Sequence, residues 1–334
     1  MTKRERVLSA INHKETDYVP YQIDLTYQAY ERLTEYTGDP DWINKIGNHL
    51  AFTGYGKIEE MKDRCGYFQD QFGVVWNRTG ADKDIGVIDD IILKDTTLDG
   101  YEFPYIDEKE IRAQCEALIN SEDDKCKVFG IGFSMFERAW TLRGMENLLA
   151  DMIMEPEFVH TLLNAICEHN LEVLRIALDY DFDSIYFGDD WGQQKGTIMG
   201  PNYWREFIKP YVAKMYAKVK EKDKFIIQHS CGDIEEIFPD LIEIGLDVYQ
   251  TFQPEIYDIR KVKREFGKDL SFFGGMSTQT VLPRSTPEQV KENAKEIISI
   301  MKENGGYIAS PTHAVPFDVP PENIIALAEV FQNQ

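Results

Sequence analysis

Positive charge is what this 334-residue chain most lacks: 36 lysines and arginines stand against 58 aspartates and glutamates, a formal charge of −22. Such an imbalance repels phosphate backbones and anionic lipid surfaces, so neither nucleic acid nor a membrane is expected as the main partner. Cysteine is scarce as well. Cys65, Cys115, Cys126, Cys167 and Cys231 are odd in number and follow no framework spacing, which points to reduced thiols and a cytoplasmic setting. No run of about eighteen apolar residues occurs, so no membrane span is expected. The opening residues lead into an amphipathic helix and lack the apolar core of a signal peptide. No G-x-G-x-x-G follows the first strand, as a dinucleotide-binding fold would want. What remains is ample for a buried core: 43% of residues are hydrophobic and 12% aromatic.

Apolar strands and amphipathic helices alternate along most of the chain. A helix is expected over 3–12, then a strand over 17–24 that ends in Asp24. Residues 27–64 read as mostly helical, broken at Gly38 and Gly54, and 67–98 as short antiparallel strands decorating the main body. Strands are then expected at 127–133, 184–190, 224–229, 247–252, 270–275 and 307–310, with helices between them and one over 233–244 opened by Asp233. Strand–helix alternation implies a parallel sheet, and continuously apolar strands imply helices on both faces. Polar residues gather where these strands end: Asp24, Asp189 and Asp190, His229 and Cys231, Gln253 and Glu255, His313. That distribution is the hallmark of a (β/α)8 TIM barrel. The expectation is therefore an α/β chain forming one barrel domain over 1–334, with N-terminal helical and short-strand decorations.

The chemistry is expected in Gln228-His229-Ser230-Cys231-Gly232-Asp233. Side chains alternate along a strand, so His229 and Cys231 share a face while Ser230 points away. Imidazole and thiolate side by side form half of a Zn2+ site. His313, just past the last strand, reaches the same mouth once the barrel closes. Three protein ligands with one open position describe a catalytic zinc. Asp189, Asp190 or Glu255 could fill the fourth place at rest, and Asp190 and Glu255 are the catalytic candidates.

Several stretches together resemble the uroporphyrinogen decarboxylase superfamily, and within it the zinc-containing, corrinoid-linked methyltransferases. They are Arg4-Glu5-Arg6-Val7 with Asp17-Tyr18-Val19-Pro20, Gly144-Met145-Glu146-Asn147-Leu148-Leu149, the His229 to Asp233 core, Gly274-Gly275-Met276-Ser277-Thr278-Gln279, and Ser310-Pro311-Thr312-His313 with Pro321-Glu322-Asn323. The resemblance implies a methyltransferase working with a corrinoid. The chain has no Asp-x-His-x-x-Gly corrinoid motif, so the corrinoid is expected on a partner protein. Two departures shape the reading. Decarboxylases of the superfamily carry an arginine motif after the first strand to grip the porphyrinogen, and here Tyr21-Gln22-Ile23-Asp24 has none. Thiol methyltransferases usually place a second cysteine where His313 stands; one fewer thiolate leaves zinc more electrophilic. That favours a polarised ether oxygen over a thiol.

The resulting expectation is methyl transfer between a small substrate, with a lean towards a methyl ether, and the corrinoid. Asp24, Phe187, Asp189, Trp191, Tyr249, Gln253 and Met276 are the substrate-binding candidates, the aromatic residues (with Phe252) to pack a ring. A homo-oligomer is compatible with this reading. Two rivals stay open. One is a lyase acting on a small carboxylate, which predicts a basic residue such as Arg138 or Lys195 in the pocket and no joint metal site. The other is a non-catalytic barrel subunit of a corrinoid complex.

Overall fold

A computed structural model describes residues 1–80 and 85–334, which leaves four residues of the expected 67–98 decoration outside the described residues. In chain order the strands are β1 (Leu50–Tyr55), β2 (Ile58–Glu60), β3 (Tyr67–Asp70), β4 (Val75–Asn77), β5 (Val87–Ile88), β6 (Cys126–Ile131), β7 (Ser184–Gly188), β8 (Phe225–His229), β9 (Val248–Phe252), β10 (Ser271–Met276) and β11 (Tyr307–Pro311). β1 and β6 to β11 lie side by side in that order as one parallel, curled sheet, and β2 to β5 form a separate antiparallel sheet. Among the described residues no helix is long and apolar enough to cross a membrane.

Residues of alternate parity face opposite ways. Leu50, Val128, Ile227, Val248, Phe273 and Ile308 pack inside the curl against Val7 and Ile11 of the helix Lys3–Ile11, which closes the N-terminal end like a floor. Their neighbours Phe129, Ile185, Phe187, Ile226, Tyr249 and Phe272 point outward into the larger core shared with the surrounding helices. Thr2 and Glu5 cap the floor helix reciprocally, fixing where it starts.

Three expectations need correction. Residues 27–64 are not mostly helical: after the helices Tyr27–Thr37 and Trp42–Lys45 comes β1, the first strand of the parallel sheet. Gly54, read from the sequence as a break, is instead a close-approach glycine; a Cβ there would lie 2.5 Å from the Gly130 carbonyl oxygen on β6. The strand expected at 17–24 forms no ladder. Tyr21 bridges Ala309 and Leu25 bridges Val315, while the seam towards β1 has one backbone bond, from His49 N to the Tyr21 carbonyl at 3.1 Å, and is completed by side chains. Asn48 bonds both backbone groups of Ile23 at 2.9 Å, and Gln22 Oε1 accepts from Leu50 N at 3.2 Å. Pro20 has no N–H to give a ladder. What is observed is a seven-stranded parallel sheet whose remaining gap holds an extended segment. The helix expected over 233–244 is also shorter, a 3-10 turn at Glu235–Ile237 followed by Phe238–Glu243.

Candidate metal centre

Parity along β8 sets the site. Ile227 points into the curl, so His229 and then Cys231 do the same, at the C-terminal mouth opposite the floor helix. The outward residues between them are fastened to the frame: Gln228 accepts from Tyr216 Oη at 2.6 Å, and Ser230 Oγ accepts from Trp191 N at 2.9 Å. Gly232 takes a positive φ of 78°, and a Cβ on it would lie 2.2 Å from the Gly192 carbonyl carbon. Only glycine lets the chain turn there while the loop after β7 presses against it.

One ligand atom each from His229, Cys231 and His313 lies within 4.8 Å of the others. His229 Nε2 and Cys231 Sγ are 3.7 Å apart, and the rings of His229 and His313 meet nearly edge-on at 5.7 Å. Metal–nitrogen and metal–sulfur bonds of about 2.0 and 2.3 Å at a tetrahedral angle separate the two donors by about 3.5 Å, so the set could hold such an ion. Gln250, the register neighbour of His229 on β9, hydrogen-bonds its Nδ1 through Oε1. Nδ1 then carries a proton, which leaves Nε2 as the nitrogen that would face a metal ion, the outer contact that ligating histidines need. Burial pushes the imidazole down, but Tyr186, Asp190 and Cys231 outweigh it and hold its pKa well above the ordinary value. The Asp190 carboxylate 3.3 Å from this ring would also attract a metal cation.

The two aspartates after β7 go separate ways. Asp189 follows Ile185 and Phe187 outward. It is fully buried and accepts from Phe136 N, Glu137 N and Trp191 Nε1 at 2.9, 2.7 and 2.5 Å, so it holds the first turn of the helix Phe136–Arg143. Burial still lifts its carboxyl, to about 6. Asp190 faces the cluster, with Oδ1 3.3 Å from His229 Nε2 and accepting from Cys231 N at 2.7 Å. Burial raises its carboxyl, yet His229 and the Cys231 N–H more than offset this, and its pKa falls below the usual value.

The remaining candidates divide in the same way. Phe187, Trp191 and Tyr249 are corrected from mouth to core: each is fully buried, Phe187 against Tyr216, Trp191 against Trp204, and Tyr249 with its hydroxyl 2.9 Å from the Ser230 carbonyl. Phe252 is buried against Phe272. Met276 is buried at the end of β10, and Gln253 Oε1 is spent on Gly232 N at 3.1 Å. Glu255 accepts from the hydroxyls of Ser277 and Thr280 and so ties down the loop after β10. Asp24 is solvent-accessible yet crowded by protein; that crowding raises its carboxyl against the opposing bond from Gln22 Nε2 at 2.8 Å. Lys195 is exposed elsewhere, and Arg138 lines a different cavity.

Sequence reasoning missed Gln250 and Glu137. Gln250 was visible as a lone amide inside an apolar strand. Glu137 was visible as a carboxylate six residues past β6, where barrel strands deliver functional groups. Burial, reinforced by Asp190 and Asp189, raises its carboxyl to about 8.

A parallel sheet with its nitrogen, sulfur and carboxylate groups collected at the strand ends defines an α/β protein with a site at the sheet's C-terminal mouth. The uroporphyrinogen decarboxylase (URO-D) family matches residues 87–334, well over half of the chain, and the chain belongs to that family. A methylated-thiol–coenzyme M methyltransferase of Methanosarcina mazei is 24% identical over 191 residues, which cover 57% of this chain and 49% of that protein. A uroporphyrinogen decarboxylase of Vesicomyosocius okutanii is 27% identical over 177 residues, 52% of this chain and 49% of that one. The chain spans about half the length of the curated relatives it matches. The solved structure of a methyltransferase from Methanosarcina mazei shares the fold, with a TM-score of 0.72 at 18% identity over 100% of this chain and 99% of that chain.

Proposed function

We propose that this chain is a zinc-dependent methyltransferase that moves a methyl group between a small substrate and a corrinoid carried by a separate protein. The observation that carries the reading is the convergence of His229, Cys231 and His313 donor atoms within 4.8 Å at the mouth of the sheet. The kinship with a methylated-thiol–coenzyme M methyltransferase supports the reaction class. The rival lyase requires these three residues to act apart. In this reading 1–334 is one cytoplasmic domain, a (β/α)8 barrel with Pro20 to Leu25 as its eighth stave.

His229, Cys231 and His313 would hold the ion, and zinc, when bound, supplies a Lewis acid for the substrate's heteroatom. Gln250 keeps the His229 ring turned, and Asp190 holds negative charge beside it. With a methyl ether as donor, the corrinoid, when bound, would supply the electron pair that takes the methyl group from oxygen. The departing oxygen keeps the C–O pair and needs a proton. Glu137, whose carboxyl is raised to about 8 by burial, reinforced by Asp190 and Asp189, would give that proton. Asp24, Gln253 and Met276 remain the proposed contacts of the substrate, and Glu255 fixes the loop that borders it.

The test is single-turnover methylation of a reduced corrinoid protein by methyl ethers and methylated thiols, using zinc-loaded enzyme. Methylated corrinoid formed in step with demethylated product is the expected result, with Cys231→Ala inactive. Carbon dioxide release without methyl transfer would replace this reading with the lyase.

A further inference from the structure

Phe52 stands apart on the inward side of the parallel sheet. It has the parity of Leu50 on β1, so it points into the curl, and its register partner Val128 belongs to the packed interior. Yet Phe52 is 41% exposed, whereas the inward Phe273 on β10 is 2% exposed. A large apolar side chain left open inside a curled sheet borders space that the protein does not fill, the usual setting of a small-ligand site.

Tyr186 on β7 forms the adjoining wall. The two rings stand at 87° with centroids 5.9 Å apart, and the Tyr186 centroid is 6.1 Å from that of His229. The Tyr186 hydroxyl is turned to Gln250 Oε1 at 3.4 Å, which leaves the ring for a ligand. Glycine borders this ring twice, at its register partner Gly130 and at Gly188. A Cβ on either would lie 3.7 Å from the ring, and neither glycine has a positive φ, so backbone conformation demands glycine at neither position. The result is an uncovered aromatic corner beside the metal centre.

Charge gives the corner its sign. Asp24 Oδ1 accepts from Gln22 Nε2 at 2.8 Å, and its Oδ2 has no hydrogen-bond partner among the described residues. Asp24 lies near enough to act on the Tyr186 hydroxyl, which burial, with Asp190, Cys231 and Asp24 behind it, pushes up to about 12 against the pull of His229. No lysine or arginine occupies an inward position on the seven parallel strands. Aromatic faces backed by a carboxylate, with no competing cation, are the chemistry that recognises an alkylammonium ion. An anionic ligand would meet like charge at Asp24 and Asp190.

We infer that the corner binds an alkylammonium group, held between Phe52 and Tyr186 within reach of the Asp24 carboxylate. The inference rests on the methyl-transfer reading for one point alone, that this group is the handle of a substrate whose methyl-bearing oxygen or sulfur faces the metal. Binding of the cation needs neither metal nor corrinoid.

Calorimetric titration of choline methyl ether and of its neutral isostere, 3,3-dimethylbutyl methyl ether, into chelator-stripped and zinc-loaded protein tests it. The cation should saturate both forms below about 1 mM, and the neutral ether should bind at least about tenfold more weakly. Phe52→Leu keeps apolar bulk at a half-exposed position and removes the π face, so it should weaken the cation about tenfold and the neutral ether no more than about twofold. Asp24→Asn, whose amide oxygen still accepts from Gln22, should weaken the cation by about tenfold as well. No saturation by about 10 mM, a neutral isostere that binds equally, or undiminished cation binding in both variants would overturn the proposal. Cation binding by zinc-loaded protein that passes no methyl group from choline methyl ether to a reduced corrinoid protein would sustain the pocket and sink the methyl-transfer reading. Transfer from neutral methyl ethers without cation binding would do the reverse.

Discussion

His49 and His229 are both largely withdrawn from solvent at opposite ends of strands of the same parallel sheet, and their surroundings drive them in opposite directions. His49 sits on the floor side, just before β1, against the Arg6 guanidinium 3.2 Å away. Burial, helped by Arg6, drops its pKa to about 4, so the ring stays neutral. Arg6 in turn is closed by a two-pronged pair with Asp17 at 2.7 and 2.8 Å. At the mouth, carboxylate and thiol surround His229 and hold its pKa up. The floor matches its charges pairwise, which serves folding; the mouth gathers like-functioned donors around a point, which serves a ligand.

Breaking the mouth should therefore cost the ligand and leave the fold, and the largest effect is expected there. Cys231→Ala should reduce zinc from about one per chain to a trace while its denaturant midpoint without metal stays near that of metal-free wild type. Arg6→Ala should do the opposite: zinc stoichiometry retained, stability lower by about 2 kcal/mol, the scale of hydrogen bonds to a charged group. If both variants lose metal and stability together, the division between floor and mouth fails.

The floor has its own signature in pH. An unfolded histidine titrates near 6.5, while folded His49 stays neutral to about 4. Its stability contribution is full above the unfolded value and drains away as pH falls from there towards about 4, on the order of 3 kcal/mol in total. His49→Gln should flatten chemical-denaturation stability across that window. An unchanged slope would mean that other groups set it.

Gln250→Leu sharpens the comparison at the mouth with a smaller effect. Without its partner the His229 ring loses its fixed tautomer, and zinc affinity should fall about ten- to hundredfold in a chelator competition with little change in the unfolding midpoint. The smallest effect belongs to Glu255→Gln. Its hydroxyl partners can still be met by an amide oxygen, so zinc content should not change; a loss of zinc would place Glu255 among the ligands.

How much of this was legible in the sequence follows from strand parity. His229-x-Cys231 could be read as one-faced because alternation needs only the strand itself. His313 could be joined to it because a curled parallel sheet brings its last strand end towards the others. Which face was inward could not be read, since strands covered on both sides are apolar at every position. Phe187, Asp189 and Tyr249 were placed at the mouth for that reason, while Tyr186, Asp190 and Gln250, of the opposite parity, are the ones beside His229. β1 was hidden by Gly54, a residue required by contact with β6 that looks from the sequence like a helix break. The short-strand decoration was legible, but the cavity beneath it was not, because its walls come from segments as far apart as Tyr55 and Arg138.

The most direct measurement is the metal content of purified protein by mass spectrometry, beside Cys231→Ala and His313→Ala. About one zinc per chain in the wild type, lost in both variants, is the expected result. Zinc retained without His313 would contradict the ligand set, and no zinc in wild type offered the metal would contradict the centre itself.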